Sequence, residues 1–381
     1  MDTLHEHFFA LLRLALGVSG EGFACFEVGS VEEWPLLYRM ATQQSLLGVA
    51  YRGVCKLPKQ HQPPFAVAFQ WASEAETVRG QNKLINREAA RLTRLFEAEG
   101  RKSAILKGPA NARLYPDTFM RQCGDIDIWV EGGRESVDAL LRRMGLLPES
   151  GEDDDVATRV NNFASSHHLH LPRTADGISV EVHYRPSSGN RNPFSTARLM
   201  RFLDDEIAHP EPVPEGFNVP SMKFALAMQL SHIQRHFIAG GIGMRQIMDY
   251  YVLLSQATEA DRAEFSAKLR KFGFYHTAGA LMWLLERVFG LDRSKMLCRP
   301  DPGRGAWMLD VVMKGGNFGR YAGKRSRGTV MRWLVNRKNS LRMFPFDAAE
   351  TFWSEVGYWK LFLRTVPLRI KLRKLSIKEF F

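Results

Sequence analysis

Residues 103–130 open with Ser103-Ala104-Ile105-Leu106-Lys107-Gly108-Pro109 and close with Asp125-Ile126-Asp127-Ile128-Trp129-Val130, with Arg121 just ahead of the first aspartate. The closing hexapeptide alternates at period two, the pattern of a strand with one buried face. Successive strand side chains point to opposite faces, so Asp125 and Asp127 share one face and Ile126, Ile128 and Val130 the other. Ser103–Leu106 reads as a shorter apolar strand. Lys107-Gly108-Pro109 then reads as a turn into a short helix that runs through Tyr115. Glycine lets another backbone or a ligand come close, and proline fits the first helical turn.

A second strand repeats the logic downstream. In Ile178–Arg185, the side chains of Ile178, Val180, Val182 and Tyr184 form one face, and Ser179, Glu181, His183 and Arg185 the opposite one. If the two strands are neighbours, Asp125, Asp127 and Glu181 converge over a sheet whose other side is buried. Carboxylates so clustered raise one another's pKa unless a cation neutralises them. Hard oxygen ligands suit Mg²⁺ or Mn²⁺. Such a site can hold both the attacking and the leaving oxygen of a displacement at phosphorus. Gly108 and the free N–H groups after it suit phosphate, with Lys107 and Arg121 adding charge-assisted contacts. Three roles are open for His183: orienting Glu181, touching phosphate, or a structural hydrogen bond.

Outward from this unit the chain turns helical. Amphipathic stretches near 3–16, 31–52 and 66–99 carry apolar residues at three- and four-residue spacings, as in Ile85, Ala89, Leu92, Leu95 and Phe96. The Pro-rich loop at 57–64 separates the last two, and Glu99-Gly100 is a helix stop. A helix is expected over 134–144, and strands over 159–171 and 178–185 around the turn Ala175-Asp176-Gly177. The prolines at 210, 212 and 214 resemble a linker, and Pro220-Ser221 opens a further helical region to about residue 290. The expected division is a helical domain at 1–99, an α+β core at 100–215, a second helical domain at 216–300 and a basic, aromatic segment at 301–381.

These motifs resemble the uncharacterised nucleotidyltransferase family, within the nucleotidyltransferase superfamily of the DNA polymerase β type. The shared features are Leu106-Lys107-Gly108, Arg121 followed by Asp125-Ile126-Asp127-Ile128, Glu181 with His183, and the segment from His236-Phe237 through Gly241-Ile242-Gly243-Met244-Arg245-Gln246-Ile247-Met248-Asp249. The resemblance spans roughly residues 30–290. It implies a polymerase-β-like α+β core with a small mixed sheet, flanked by N- and C-terminal helical domains. It also implies Mg²⁺- or Mn²⁺-dependent transfer of a nucleoside monophosphate from an NTP to an acceptor hydroxyl or phosphate, with pyrophosphate released. Asp125, Asp127 and Glu181 would be the catalytic and metal-binding carboxylates. Lys107, Gly108, Arg121, His183, Arg185 and Arg245 would be the nucleotide-binding set. The superfamily more usually carries Gly-Ser or Gly-Gly and a shorter interval to the first aspartate than the 16 residues between Gly108 and Asp125.

Other features have plainer readings beside these. His167-His168-Leu169-His170 places only His168 and His170 on one strand face, with no carboxylate at a zinc-like spacing nearby, so a satisfied strand histidine is expected. Gly240-Gly241-Ile242-Gly243 fits no dinucleotide fingerprint and reads as a helix-to-helix turn. Arg245 and Asp249 stand four apart on the helix after it, where an ion pair is the simplest reading. The family resemblance instead sends Arg245 toward the nucleotide or acceptor.

With 381 residues, 52 Lys and Arg against 41 Asp and Glu, and 45% hydrophobic residues, the composition excludes wholesale disorder. Residues 301–381 hold 17 Lys and Arg against 6 Asp and Glu, which accounts for the whole surplus of +11. That segment suits nucleic acid, an anionic membrane surface or simple solvation of a basic face. No stretch is apolar enough to span a membrane, and the acidic, His-bearing first residues are not expected to act as a secretory signal. Four scattered cysteines, Cys25, Cys55, Cys123 and Cys298, form no C-x-x-C pair. The expected location is the cytoplasm. The expected partners are an NTP and an acceptor that is a small molecule, peptide or protein; RNA remains open as an alternative, as does nucleotide binding without transfer.

Overall fold

Ile126, Ile128 and Val130 are fully buried, and the sheet is assembled over them. The computed structural model describes residues 3–18, 31–148, 167–239, 241–317 and 329–371. Helices α1 (Thr3–Leu16), α2 (Glu33–Gln43), α3 (Leu47–Cys55) and α4 (Phe65–Ala98) come first. The helix expected over 31–52 is two helices. Ser45 has φ +55° between them, and the neighbouring Gln44 side chain is buried, donating to Val312 O and accepting from Met244 N. Satisfying that buried amide fixes the break. Gly100, at φ +70°, ends α4, and Arg101 N–H closes back on Phe96 O at 2.9 Å.

Strand β1 (Ser103–Ile105), the short helix α5 (Pro109–Ala112), strand β2 (Asp125–Val130) and helix α6 (Gly133–Arg143) follow. Strands β3 (His168–His170) and β4 (Ser179–His183) complete a four-stranded mixed sheet in the order β1-β2-β4-β3. β2 runs antiparallel to β1 and parallel to β4, and β3 is antiparallel to β4. Both later strands are shorter than the sequence spacing suggests, and most of the expected 159–171 segment lies outside the described residues. The 174–178 turn forms with Gly177 at φ +74°.

After helix α7 (Pro193–Ile207) and the two-residue strands β5 (Glu211–Pro212) and β6 (Asn218–Val219) come α8 (Met222–Ile238), α9 (Met244–Gln256), α10 (Glu259–Ser266), α11 (Tyr275–Phe289) and α12 (Pro302–Gly315). Ser221 caps α8 by accepting from Phe224 N–H at 3.1 Å. Helices α13 (Thr329–Leu341) and α14 (Ala348–Lys371) occupy part of the basic segment; its last ten residues lie outside the described ones. Among the described residues no helix is long and apolar enough to cross a membrane.

Two apolar clusters result, and both are needed to place the site. The first lies under the sheet and gathers Ile126, Ile128, Val180, Val182 and Leu169 with Ile85, Leu92 and Phe96 of α4 and Val137 and Leu140 of α6. The second joins α1 to α3 with the helices after residue 193, through Phe8, Phe9, Trp71, Phe224, Tyr250, Phe274 and Phe289 among others. Trp71 and Ala75 of α4 belong to this second cluster, so one 34-residue helix runs through both. The upper face of the sheet is therefore left between the strands and α8.

Candidate active site

Parallel pairing of β2 with β4 sets Asp127 opposite Glu181 and Asp125 opposite Ser179, while β3 sets His170 opposite Glu181 and His168 opposite His183. The pleat then sends the polar side chains of three strands to one face. They form one wall of a cavity of about 420 Å³, lined on this side by Lys107, Asp125, Asp127, His167, His168, Glu181 and His183. The opposite wall comes from α8, with Met228, His232, Arg235 and His236, from Ala239 just past its end, and from the 186–191 loop, with Arg191. The α8 residues recur at helical spacing and share one face.

Asp127 is fully buried, and both of its near neighbours are cationic or able to be so. Lys107 Nζ lies 3.1 Å from Asp127 Oδ1, and His183 Nε2 lies 3.0 Å from the same atom. Burial works to raise the Asp127 carboxyl, but Lys107 and His183 overcome it and hold the group far below the usual carboxylate range. Burial likewise works to lower Lys107, and Asp127, Asp125 and Glu181 more than offset it. Asp125 is pushed up, first by the Asp127 charge and then by burial. Burial pulls His183 down, and its bond to Asp127 with the nearby Glu181 carboxylate raises it overall.

Glu181 sits among imidazoles. Its Oε2 is 3.7 Å from both His183 Nε2 and His168 Nδ1, and its Oε1 is 3.7 Å from His170 Nδ1. Burial works to raise it, and the nearby His183 imidazole leads the contributions that keep it low. The glycine at position 108 has a steric reason as well as a conformational one. Its φ is +63°, and a Cβ there would lie 3.2 Å from Asp125 O. Only glycine lets the Lys107 turn sit against the start of β2.

The sequence-derived set is thus divided by the fold. Lys107, Asp125, Asp127, Glu181 and His183 line one cavity, with Gly108 packed beside it. Arg121, expected at the phosphates, is instead buried against Asp249: Nε donates to Oδ1 at 2.9 Å and the other arm to Oδ2. Tyr115 donates to the same carboxylate at 2.8 Å. The expected Arg245–Asp249 pair gives way to this one, and Arg245 donates to Gln122 O at 2.7 Å. Its charge still acts on Asp125, working with Lys107 against the rise that Asp127, burial and Glu181 cause. Arg185 lies exposed beyond the end of β4 and acts on Asp204 instead.

The residues that sequence reasoning missed are on the far wall. Arg191 and Arg235 line this wall; Glu350 accepts from the Arg191 backbone N–H at 2.8 Å and acts on its charge from there. Arg191 Nε is enclosed without a hydrogen-bond partner. Burial, and then the charge of Arg191, lowers Arg235 to about 10. Burial lowers His236 to about 4 and His232 well below its ordinary value. The available signal was the i, i+3, i+4 recurrence of His232, Arg235 and His236 on one helix.

A family model described as uncharacterised nucleotidyltransferase matches residues 30–290, which takes in the whole sheet, both cavity walls and the Arg121–Asp249 pair. The chain belongs to that family. Nucleotide transfer is therefore its general activity, and an α+β core with a small mixed sheet is the frame for it. The matched region of this nucleotidyltransferase stops at the end of α11, so α12 to α14 lie beyond it. No curated protein and no solved structure matches the chain.

Proposed function

We propose that this chain is a Mg²⁺- or Mn²⁺-dependent nucleotidyltransferase with a polymerase-β-like core, moving a nucleoside monophosphate from an NTP to an acceptor hydroxyl or phosphate. One observation carries the reading: a single cavity has carboxylates on one wall and the arginines Arg191 and Arg235 on the other. A metal-bound nucleoside triphosphate has the complementary polarity, with its cation toward the acids and its phosphate tail toward the arginines.

The residues fit a divalent cation. Asp127 Oδ1 is taken by Lys107 and His183, but Asp127 Oδ2 is buried with no hydrogen-bond partner. An enclosed carboxylate oxygen left bare is costly, and a cation would relieve it. Asp125, Asp127 and Glu181 would hold the ion, which when bound supplies charge stabilisation for displacement at phosphorus.

The rest is done by the chain itself. Lys107 and the Gly108 turn lie beside the acids and meet the phosphates nearest the reaction. Arg191 and Arg235 take the departing end. The acceptor oxygen bonds to the α-phosphorus as the bond from that phosphorus to the bridging oxygen breaks, and pyrophosphate leaves toward the arginines. The acceptor proton passes to Glu181, whose carboxylate is kept ionised by His183. Positioning and charge stabilisation would supply most of the acceleration. The acceptor would be a small molecule, peptide or protein.

The test is incubation with labelled ATP, GTP, CTP and UTP and candidate acceptors, following pyrophosphate release and the mass of each acceptor. Asp127→Asn is expected to lose about 100-fold or more in turnover, the scale of removing one electrostatic stabiliser. Turnover equal to that of the parent would remove Asp127 from the reaction.

A further inference from the structure

A second donor set stands beside the aspartates and differs from them in chemistry. Leu169 of β3 is buried under the sheet, so His168 and His170 on either side of it both project above. His168 Nε2 and His170 Nε2 lie 3.1 Å apart. The Nδ1 of each ring faces one oxygen of Glu181, His168 toward Oε2 and His170 toward Oε1, both at 3.7 Å. Donor atoms of these three residues fall within 4.8 Å of one another. Linear spacing hid this set, because its carboxylate comes from the neighbouring strand.

We propose that His168, His170 and Glu181 form a binding site for a borderline-soft divalent ion of the Zn²⁺ type, separate from the oxygen-rich Mg²⁺ or Mn²⁺ position at Asp125 and Asp127. Ligands of one tetrahedral Zn²⁺ at its usual bond lengths stand about 3.3 Å from each other. The two Nε2 atoms, 3.1 Å apart, match that spacing, and one donor atom from each of the three residues lies within 4.8 Å of the others. Two imidazoles and one carboxylate are the ligand mix of zinc sites that keep a position open, whereas Mg²⁺ prefers oxygen alone. His170 keeps about a third of its side chain exposed, which gives an ion access from solvent.

Glu181 belongs to both sets. Its Oε2 also faces His183, the partner of Asp127, so an ion held by the histidines would fix this carboxylate from the side away from the aspartates. The site stands on its own geometry and does not depend on the reaction proposed above.

The experiment uses the full chain, stripped with chelator and titrated with Co²⁺ as an optical stand-in for Zn²⁺, with Zn²⁺ added afterwards as competitor. The expected result is about one equivalent of Co²⁺ with visible bands of a nitrogen-containing low-coordinate site. Zn²⁺ abolishes these bands and excess Mg²⁺ does not. His168→Ala and His170→Ala should each weaken binding at least about tenfold, while Asp125→Asn should leave the bands in place. Thermal midpoints of the stripped variants, matched to the parent, separate ligand loss from misfolding; if a variant misfolds, His170→Gln replaces it. Absence of the bands in the parent, their removal by Mg²⁺, or equal Co²⁺ affinity in folded histidine variants would each overturn the site. None of these readouts requires nucleotide turnover.

Discussion

Asp249 keeps its charge in an enclosed place, and the cause is a residue 128 positions earlier in the chain. Burial works to raise its carboxyl, but Arg121 and the hydroxyl of Tyr115 overcome that and hold it below the ordinary value of 3.8. A carboxylate depressed in the folded state stabilises fully above its unfolded value and loses that contribution as pH falls through the native one. Asp249→Asn leaves the Arg121 guanidinium enclosed without a counter-charge, at an expected cost of about 3–5 kcal/mol near neutral pH. Chemical denaturation of both proteins at several pH values reads this directly. The gap between them should narrow below pH 3.8 as the parent loses its own ion pair. A gap that stays constant through that acid range would show that the pair does not supply it. A local rule could not have found this contact: Arg245 is the cation four residues from Asp249, yet tertiary packing brings Arg121 to it first.

At the scale of elements, the strands were legible and the helix opposite them was not. Alternation in Asp125–Val130 and Ser179–His183 identifies both the buried face and the polar one, because a strand has only two. The parallel β2–β4 register that sets Asp127 beside Glu181 has no mark in the sequence, nor does the β3 pairing that brings two histidines to the same carboxylate. Helix α8 hides its role more deeply. Met228, His232, Arg235 and His236 share a face that in isolation reads as an ordinary polar margin of an amphipathic helix. Its packing over the sheet turns that margin into a cavity wall. Arg235→Ala should therefore weaken binding of inorganic tripolyphosphate by about tenfold or more, the scale of a charge-assisted hydrogen bond. Calorimetric titration measures it, and Arg185→Ala, on the exposed end beyond β4, provides the comparison. Equal losses in the two variants would mean that general positive charge, and not the α8 wall, attracts the anion.

Over the whole molecule, the helices before residue 99 and those after residue 193 are far apart in sequence but bury their apolar faces in one cluster. α1 is tied to α11 beyond apolar packing: Arg13 donates to Val288 O at 2.8 Å and to Arg287 O at 2.7 Å, and Arg287 pairs with Glu6. α4 then couples this cluster to the sheet, since Trp71 and Ala75 lie in one core and Ile85, Leu92 and Phe96 in the other. A stiff helix shared between two cores transmits loss of packing from one to the other. Phe8 is fully buried in α1, more than ninety residues before the first strand. Phe8→Ala is expected to cost about 3–5 kcal/mol. It should also lower the transition of the sheet together with that of the helices. Denaturant unfolding followed by circular dichroism, and by hydrogen exchange of the β2 and β4 amides, tests the coupling. Coincident shifts are expected, and a sheet that keeps the parent's exchange protection while the helices melt early would show that α4 does not join the two cores.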